Sequence, residues 1–291
     1  MNFGLFLQLL VNGLMSGGIY ATVASGFTLI LGIMQVFNFA QGQFYMLGAF
    51  VTFGITASLG LPYPVGVLAA LVAMLILGVL FHFAVIQWTL RHGFFHTMLV
   101  TVAFGNLIGQ ASLITFASQQ QVVPPVIHGT LNINGITISN GKLLVIAGAL
   151  IVMVALYYFM KTKIGTAMMA SAENKDVAGL QGINANRIFW VTMAVGSGLC
   201  GIAGALIVPV LGASNTMGLD IFPRVMLVIL IGGTGSMSGA LLAAFLVGII
   251  ESFAFQYVGT LNLLVVFAFA AVLMFFRPGG LLGKPLPIPG D

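Results

Sequence analysis

The chain has 291 residues, 60% of them hydrophobic and only 5% charged, with mean hydropathy +1.15. Soluble domains carry about 25% charged residues, so this composition excludes a conventional water-facing surface. Nine basic residues against five acidic ones leave a net charge of +4, but the basic residues are scattered over several loops and form no nucleic-acid stripe.

A helix that crosses a bilayer needs about 20 predominantly apolar residues. The start, Met1 to Leu5, has no positive region and runs straight into apolar sequence, so no cleavable signal is expected. Spans are predicted near 5–32, 43–59, 65–89, 96–117, 142–160, 188–210, 222–234, 239–256 and 261–276. The second and seventh of these are short or interrupted by glycine, which puts the count at eight to ten. The expected fold is all-α: one polytopic membrane domain over 1–291, with Gly-rich broken segments. Placing the 161–187 loop in the cytoplasm puts Arg91, Lys161, Lys163, Lys175, Arg187, Arg277 and Lys284 inside, and Lys142 and Arg224 outside. The positive-inside rule therefore predicts an outer N-terminus and a cytoplasmic C-terminus.

Between the spans, the first informative stretch is Gln35 to Gln43, where amides interrupt apolar sequence without a charge. Broken backbone at membrane depth is tolerated where protein buries it or where it lines a wet cavity, and discontinuous segments often mark a translocation site. Asn38, Gln41, Gly42 and Gln43 are thus candidates for a pathway or gate; a plain turn at the membrane face is the alternative. His82 and His96, near span ends, read as satisfied or interfacial rather than as a relay. Residues 119–141 read as an external hairpin, with Leu131-Asn132-Ile133 and Ile136-Thr137-Ile138 flanking the turn dipeptide Asn134-Gly135, preceded by Pro124 and Pro125.

In the 161–187 loop, Ser171 is a candidate cap for a helix of about 11 residues from Ala172 to Gly182, with Glu173 in its first turn. Val177, Ala178 and Leu180 form its apolar face, which either folds back on the membrane domain or docks into a partner. Gly196, Gly198, Gly201 and Gly204, like Gly13, Gly17 and Gly18, suit close helix packing. Cys200 is the single cysteine, so no intramolecular disulfide is possible, and no Cys/His spacing suggests a metal site. Gly232-Gly233-Thr234-Gly235-Ser236 forms a second interruption, again a gate or a tight turn.

Glu251 is the one carboxylate inside an apolar span, with Asp220 and Arg224 near an outer end. So few intramembrane charges argue against proton or sodium coupling within the chain and against a carboxylate selectivity ring. An intramembrane enzyme would need a paired nucleophile and base or a metal constellation, and none is visible. Energy for uphill transport then has to come from elsewhere, which makes a separate ATPase attractive; a stand-alone channel or secondary carrier is the competing reading.

The chain resembles the permease subunits of bacterial branched-chain amino acid ABC transporters, of the leucine/isoleucine/valine type. The resemblance is carried by Asn12-Gly13-Leu14, Gly17 to Ala21, Gly26 to Gly32, Asn38 to Ala49, Ile164 to Ala167, Ala178 to Asn184, Gly232 to Ala240, Gly248 with Glu251, and Arg277 to Gly283. It implies a bacterial inner-membrane subunit working with a second, similar permease (a heterodimer), two cytoplasmic ATPases and an extracytoplasmic solute-binding protein. The chain itself would bind no cofactor, ATP and magnesium belonging to the ATPases. The resemblance also implies that the Ala172–Gly182 segment is a coupling helix that meets the ATPase through Ala172, Glu173, Asn174, Asp176, Val177, Ala178, Leu180 and Gly182. Such permeases commonly show His-Gly-Glu where this chain has Gln41-Gly42-Gln43, and arginines near Met168-Met169 and Ser171. Members handle branched-chain amino acids, other amino acids, amides or urea.

Overall fold

The computed structural model describes residues 3–116, 120–122, 129–133 and 136–283. Lys284, Pro124, Pro125 and the Asn134-Gly135 turn lie outside the described residues. Helices account for nearly all the rest: α1 (Phe3–Met34), α2 (Gln41–Phe53), α3 (Tyr63–Phe81), α4 (Gln87–Thr89), α5 (Phe94–Phe116), α6 (Asn140–Met160), α7 (Lys163–Glu173), α8 (Lys175–Leu180), α9 (Ala185–Leu211), α10 (Met217–Gly232), α11 (Met237–Val258) and α12 (Asn262–Phe276).

Among the described residues, six helical stretches are long and apolar enough to cross a membrane: Gly4–Met34, Tyr63–His92, Phe94–Phe116, Asn140–Met160, Ala185–Leu211 and Met237–Phe276. The last holds two expected spans, α11 and α12, divided by a 3-10 turn at Gly259–Leu261 where Gly259 takes φ 61°. Of the two spans expected to be short, α2 has 13 residues and runs on through a five-residue π-helical turn at Gly54–Ser58, and α10 has 16. At about 1.5 Å per residue both stay short of a hydrocarbon core of about 30 Å.

The layers follow from which helices bury their whole circumference. α1 packs along α11, α9 and α6 and is 89% buried over its most apolar window, whereas α5 and α6 are only 17% buried. On α3, Leu68, Val72, Ile76 and Leu80 recur every four residues and are all exposed. That spacing is one helix face, and in a bilayer lipid chains cover it at no cost.

Close approach of the inner helices requires glycine. A methyl at Gly26 on α1 would stand 2.6 Å from the carbonyl oxygen of Gly196 on α9, and one at Gly13 would stand 2.7 Å from Cα of Ile249 on α11. Gly48 and Gly204 hold α2 against α9 in the same way. The packing role expected for Gly13, Gly196 and Gly204 is what these backbone contacts display, and Gly26 and Gly48 share it.

The expected hairpin is present: β1 (Thr130–Ile133) and β2 (Ile136–Ser139) pair antiparallel, with Thr130 opposite Ser139 and Ile133 opposite Ile136. Near it, Gln121 exchanges two backbone hydrogen bonds of 2.8 Å with Ala213, clipping this loop to the end of α9.

Two local expectations need correction. The helix placed at Ala172–Gly182 begins later. Ser171 lies inside α7 and donates to the Ala167 carbonyl at 2.8 Å, so it cannot cap. Asn174, extended at φ −155°, breaks the chain, and its Oδ1 accepts from the backbone N–H of Asp176 and Val177. Ala172 and Glu173 therefore close α7, Asp176 takes the first-turn anion position of α8, and Gly182 (φ 82°) stops it as expected. Of the two readings of the histidines, the satisfied one does not hold at every atom: His82 is 2% exposed, in a π-helical turn, with Nδ1 lacking a hydrogen-bond partner. His96 stacks near Trp88 and His92, and its Nε2 is likewise unpartnered.

Candidate functional site

The first interruption begins where α1 ends. Gln35 takes φ 55°, a left-handed conformation that costs a non-glycine residue about 1 kcal/mol, and it turns the chain back on itself. Residues 36–39 then run without helical hydrogen bonds through the protein interior to the N-cap Ala40, with Val36, Asn38 and Ala40 at 4%, 1% and 0% exposure. Their neighbours fix the direction of the climb. Thr101 of α5 donates to the Phe37 carbonyl and accepts from the Phe39 N–H, and Gly105 then faces Ala40, Gly109 faces Gln43 and Ser112 reaches Met46. On α9, Met193 stands beside Asn38, Cys200 beside Gln41 and Gly204 beside Tyr45. α2 thus rises parallel to α5 and α9, starting level with Cys200. That is roughly 22 Å along α9, near the middle of its length.

α10 starts at the same level from the opposite direction. Gly42 and Gly218 touch backbone to backbone, and Phe39 stacks on Phe222 with ring centroids 4.8 Å apart. Two broken helices therefore meet end to end inside the bundle, through the first turn of each. Asn38 knits the junction: its Oδ1 accepts from the Ala40 N–H at 3.1 Å and its Nδ2 donates to Gln41 Oε1 at 3.1 Å. Two polar atoms remain unsatisfied there. Gln41 Nε2 is a buried donor with only the weak acceptor of the Cys200 sulfur beside it, and Gln43 Oε1, close to Gly218, is a buried acceptor without a hydrogen bond among the described residues. Each such group costs about 1–3 kcal/mol in the closed interior.

The structure does not bring the second interruption to this junction. Gly232 to Ser236 forms a tight turn between α10 and α11 at the far end of α10. Gly233 takes φ 95° and Gly235 φ 79°, and the Ser236 hydroxyl accepts from the Gly239 N–H at 3.2 Å. The C-terminal turn seals it, with the Leu281 N–H donating to the Ile231 carbonyl at 2.7 Å and Leu282 to Gly232 at 3.2 Å. Thr234 lies on this turn and is exposed.

Glu251 is 7% exposed and belongs to a network that ties four helices together. Its Oε2 accepts from the Tyr20 hydroxyl of α1 at 2.5 Å. Its Oε1 accepts from Arg224 Nε of α10 at 2.7 Å and from Asn262 Nδ2 of α12 at 3.2 Å. Arg224, expected at an outer end, instead turns inward to this carboxylate, while Nη1 donates to the Asp220 carbonyl. Tyr20 and Asn262 carried no sequence signal of their own. The available clue was the isolation of Glu251, because an intramembrane carboxylate needs a partner.

The α8 segment lies away from both sites. Ala178 packs inward at 4% exposure, while Val177 and Leu180 stand out at 49% and 88%. Among the described residues, Leu180 is left almost uncovered and Val177 half covered.

A family model described as branched-chain amino acid transport system, permease component, matches residues 9–276. The high-affinity branched-chain amino acid transport system permease protein BraD of Pseudomonas aeruginosa is 31% identical over 300 residues, covering 96% of each chain. The similarly named LivH of Escherichia coli K12 is 27% identical over 297 residues, again 96% of each. A probable branched-chain amino acid transport permease protein, LivH of Methanocaldococcus jannaschii, is 24% identical over 262 residues, 87% of this chain and 82% of the relative. No solved structure matches the chain.

Proposed function

The chain belongs to the family of branched-chain amino acid transport permease components, and from that premise we propose that it is the membrane subunit of an ATP-driven importer for leucine, isoleucine, valine or related amino acids. The observation that carries the mechanism is the junction of α2 and α10. Two helices are broken at mid-depth, and beside them a buried donor on Gln41 and a buried acceptor on Gln43 are left without a strong hydrogen bond. A zwitterionic solute offers an acceptor carboxylate and a donor ammonium, so its passage would satisfy both when the junction opens. The glycine contact of Gly42 with Gly218 supports a seam that separates without side-chain repacking.

Force for the opening would come from outside the bundle. On this reading α8 docks through Val177 and Leu180 into a groove of a cytoplasmic ATPase, which binds ATP and magnesium in place of this chain. A second, homologous permease completes the pathway, and an extracytoplasmic binding protein delivers the solute. Nucleotide turnover then favours one of two conformations by differential binding. The Gly232–Ser236 turn, pinned by the C-terminal turn, would move as part of the α10–α11 unit, with the N-terminus outside and the C-terminus in the cytoplasm.

The test is uptake of labelled leucine into vesicles holding this chain with its copurified partners. Saturable uptake that needs ATP and the binding protein is expected. Solute movement by the purified chain alone, down or against an ion gradient, would instead establish a channel or secondary carrier. The neutral amides at Gln41 and Gln43 favour one narrower alternative, a permease for urea or short amides, and competition of those solutes for leucine uptake separates the two.

A further inference from the structure

We propose that the cleft between the His82–His92 segment, α8 and α9 is a binding site for a phosphate group, supplied by the headgroup of an anionic membrane lipid. A cavity of about 200 Å³ lies there, and its polar wall is made by His82, Gln87, Arg91, Lys175 and Asn186. Leu90 and Phe189 complete the lining, and the Lys175 ammonium sits 4.6 Å above the Phe189 ring, which holds it over the cleft.

The chemistry of the wall is one-sided. It offers two full cations, two amides and an imidazole, and no carboxylate. Neither Arg91 nor Lys175 forms an ion pair among the described residues, although Glu173 and Asp176 lie close by in sequence. Independently of these exposed cations, His82 is almost fully buried and still lines the cavity. An imidazole on that wall adds a neutral N–H donor suited to a phosphate oxygen. Arg91 adds the forked donor geometry that matches phosphate, and Lys175 a point charge.

The surroundings favour a lipid as the source. The same segment exposes Phe83 and Trp88, followed by Phe94 and Phe95 at the start of α5, all outward-facing aromatic side chains. Such residues gather at the headgroup level of a bilayer, and basic pockets between helices at that level take anionic headgroups. The site joins the stretch from His82 to Arg91 to residues between Lys175 and Phe189, which sequence leaves far apart, and it reaches α8 through Lys175. It does not depend on the transport reading, because occupancy is measured without uptake.

The experiment uses the purified full-length chain in detergent, titrated with phosphatidylglycerol or phosphatidylcholine of the same acyl chains, and separately with inorganic phosphate. Retained lipid is read by native mass spectrometry and stability by thermal unfolding. Phosphatidylglycerol should be retained in preference to phosphatidylcholine and should raise the unfolding temperature. R91Q and K175Q should each weaken it about fivefold, and R91Q/K175Q about 25-fold. Displacement of phosphatidylglycerol by millimolar inorganic phosphate supports the phosphate site. Stabilisation of wild type, but not of R91Q/K175Q, by inorganic phosphate, with no preference for phosphatidylglycerol over phosphatidylcholine, keeps the site and overturns the lipid as its source. Equal retention of the two lipids, or equal phosphatidylglycerol retention by wild type and a folded R91Q/K175Q, overturns the proposal.

Discussion

Glu251 accepts hydrogen bonds from three donors on three other helices, so its charge is compensated at the point where α1, α10, α11 and α12 meet. Removing one partner of a buried pair leaves the other charge uncompensated, which costs about 3–5 kcal/mol. Arg224 keeps 23% side-chain exposure, so the lower end of that range applies. E251Q is expected to lose about 3 kcal/mol of stability, seen as a lower unfolding temperature in detergent. The double variant R224M/E251Q, which keeps a carbonyl acceptor for Tyr20 and Asn262, should recover part of that loss, and an unchanged unfolding curve for E251Q would show that the pair contributes nothing. Gln43 presents the opposite case. Its carbonyl oxygen is buried and unpaired, so Q43L removes a penalty and should leave the unfolding temperature unchanged or higher. The same substitution should cut ATP-driven leucine uptake at least about tenfold, the loss that about 1.4 kcal/mol in the pathway would produce. Wild-type uptake by Q43L would remove Gln43 from the pathway.

At the scale of elements, α8 is a six-residue helix too short to hold together by its own hydrogen bonds. Asn174 caps one end, Gly182 turns the other, and Ala178 is its one buried side chain. Val177 and Leu180 bury little within the chain, so V177D and L180D should insert and fold with wild-type unfolding temperatures. Their ATP-driven uptake should nevertheless collapse, because a carboxylate cannot enter an apolar groove without losing its hydration. Uptake at the wild-type rate in both variants would rule out α8 as the docking element. The stop at Gly182 was legible in the sequence because a left-handed residue ends a helix there. The start was misread: Ser171 and Asn174 are both good caps by residue type, and the choice between them was made by α7, which packs against α1, α6 and α9 and carries Ser171 inside its last turns.

For the whole molecule, one end gathers α8, Arg91, the C-terminal turn and the Gly232–Ser236 turn, while the other holds the hairpin and the Gln121–Ala213 clip. Reporter fusions test which end faces the cytoplasm. Fusions at Lys175 and after Phe276 should report the cytoplasmic side and one at Val122 the outer side, as the distribution of lysine and arginine requires. A reporter at Lys175 facing outward would reverse the orientation.

By itself the sequence determined the solvent, the element type and most of the boundaries. So few charges, spread over 291 residues, leave lipid as the environment, and apolar runs of the right length leave helices as the solution. It also marked α2 and α10 as the irregular pair, since glycines and amides within apolar sequence show where a helix is weak. Only the tertiary structure decided that the first turns of those two helices abut, that Arg224 turns inward to Glu251, and that His82, Arg91 and Lys175 share one cleft. The physical reason is the same in each case. Periodicity and hydropathy are local along the chain, whereas Gly42 meets Gly218, and Tyr20 meets Glu251, only once the helices between them have chosen their neighbours.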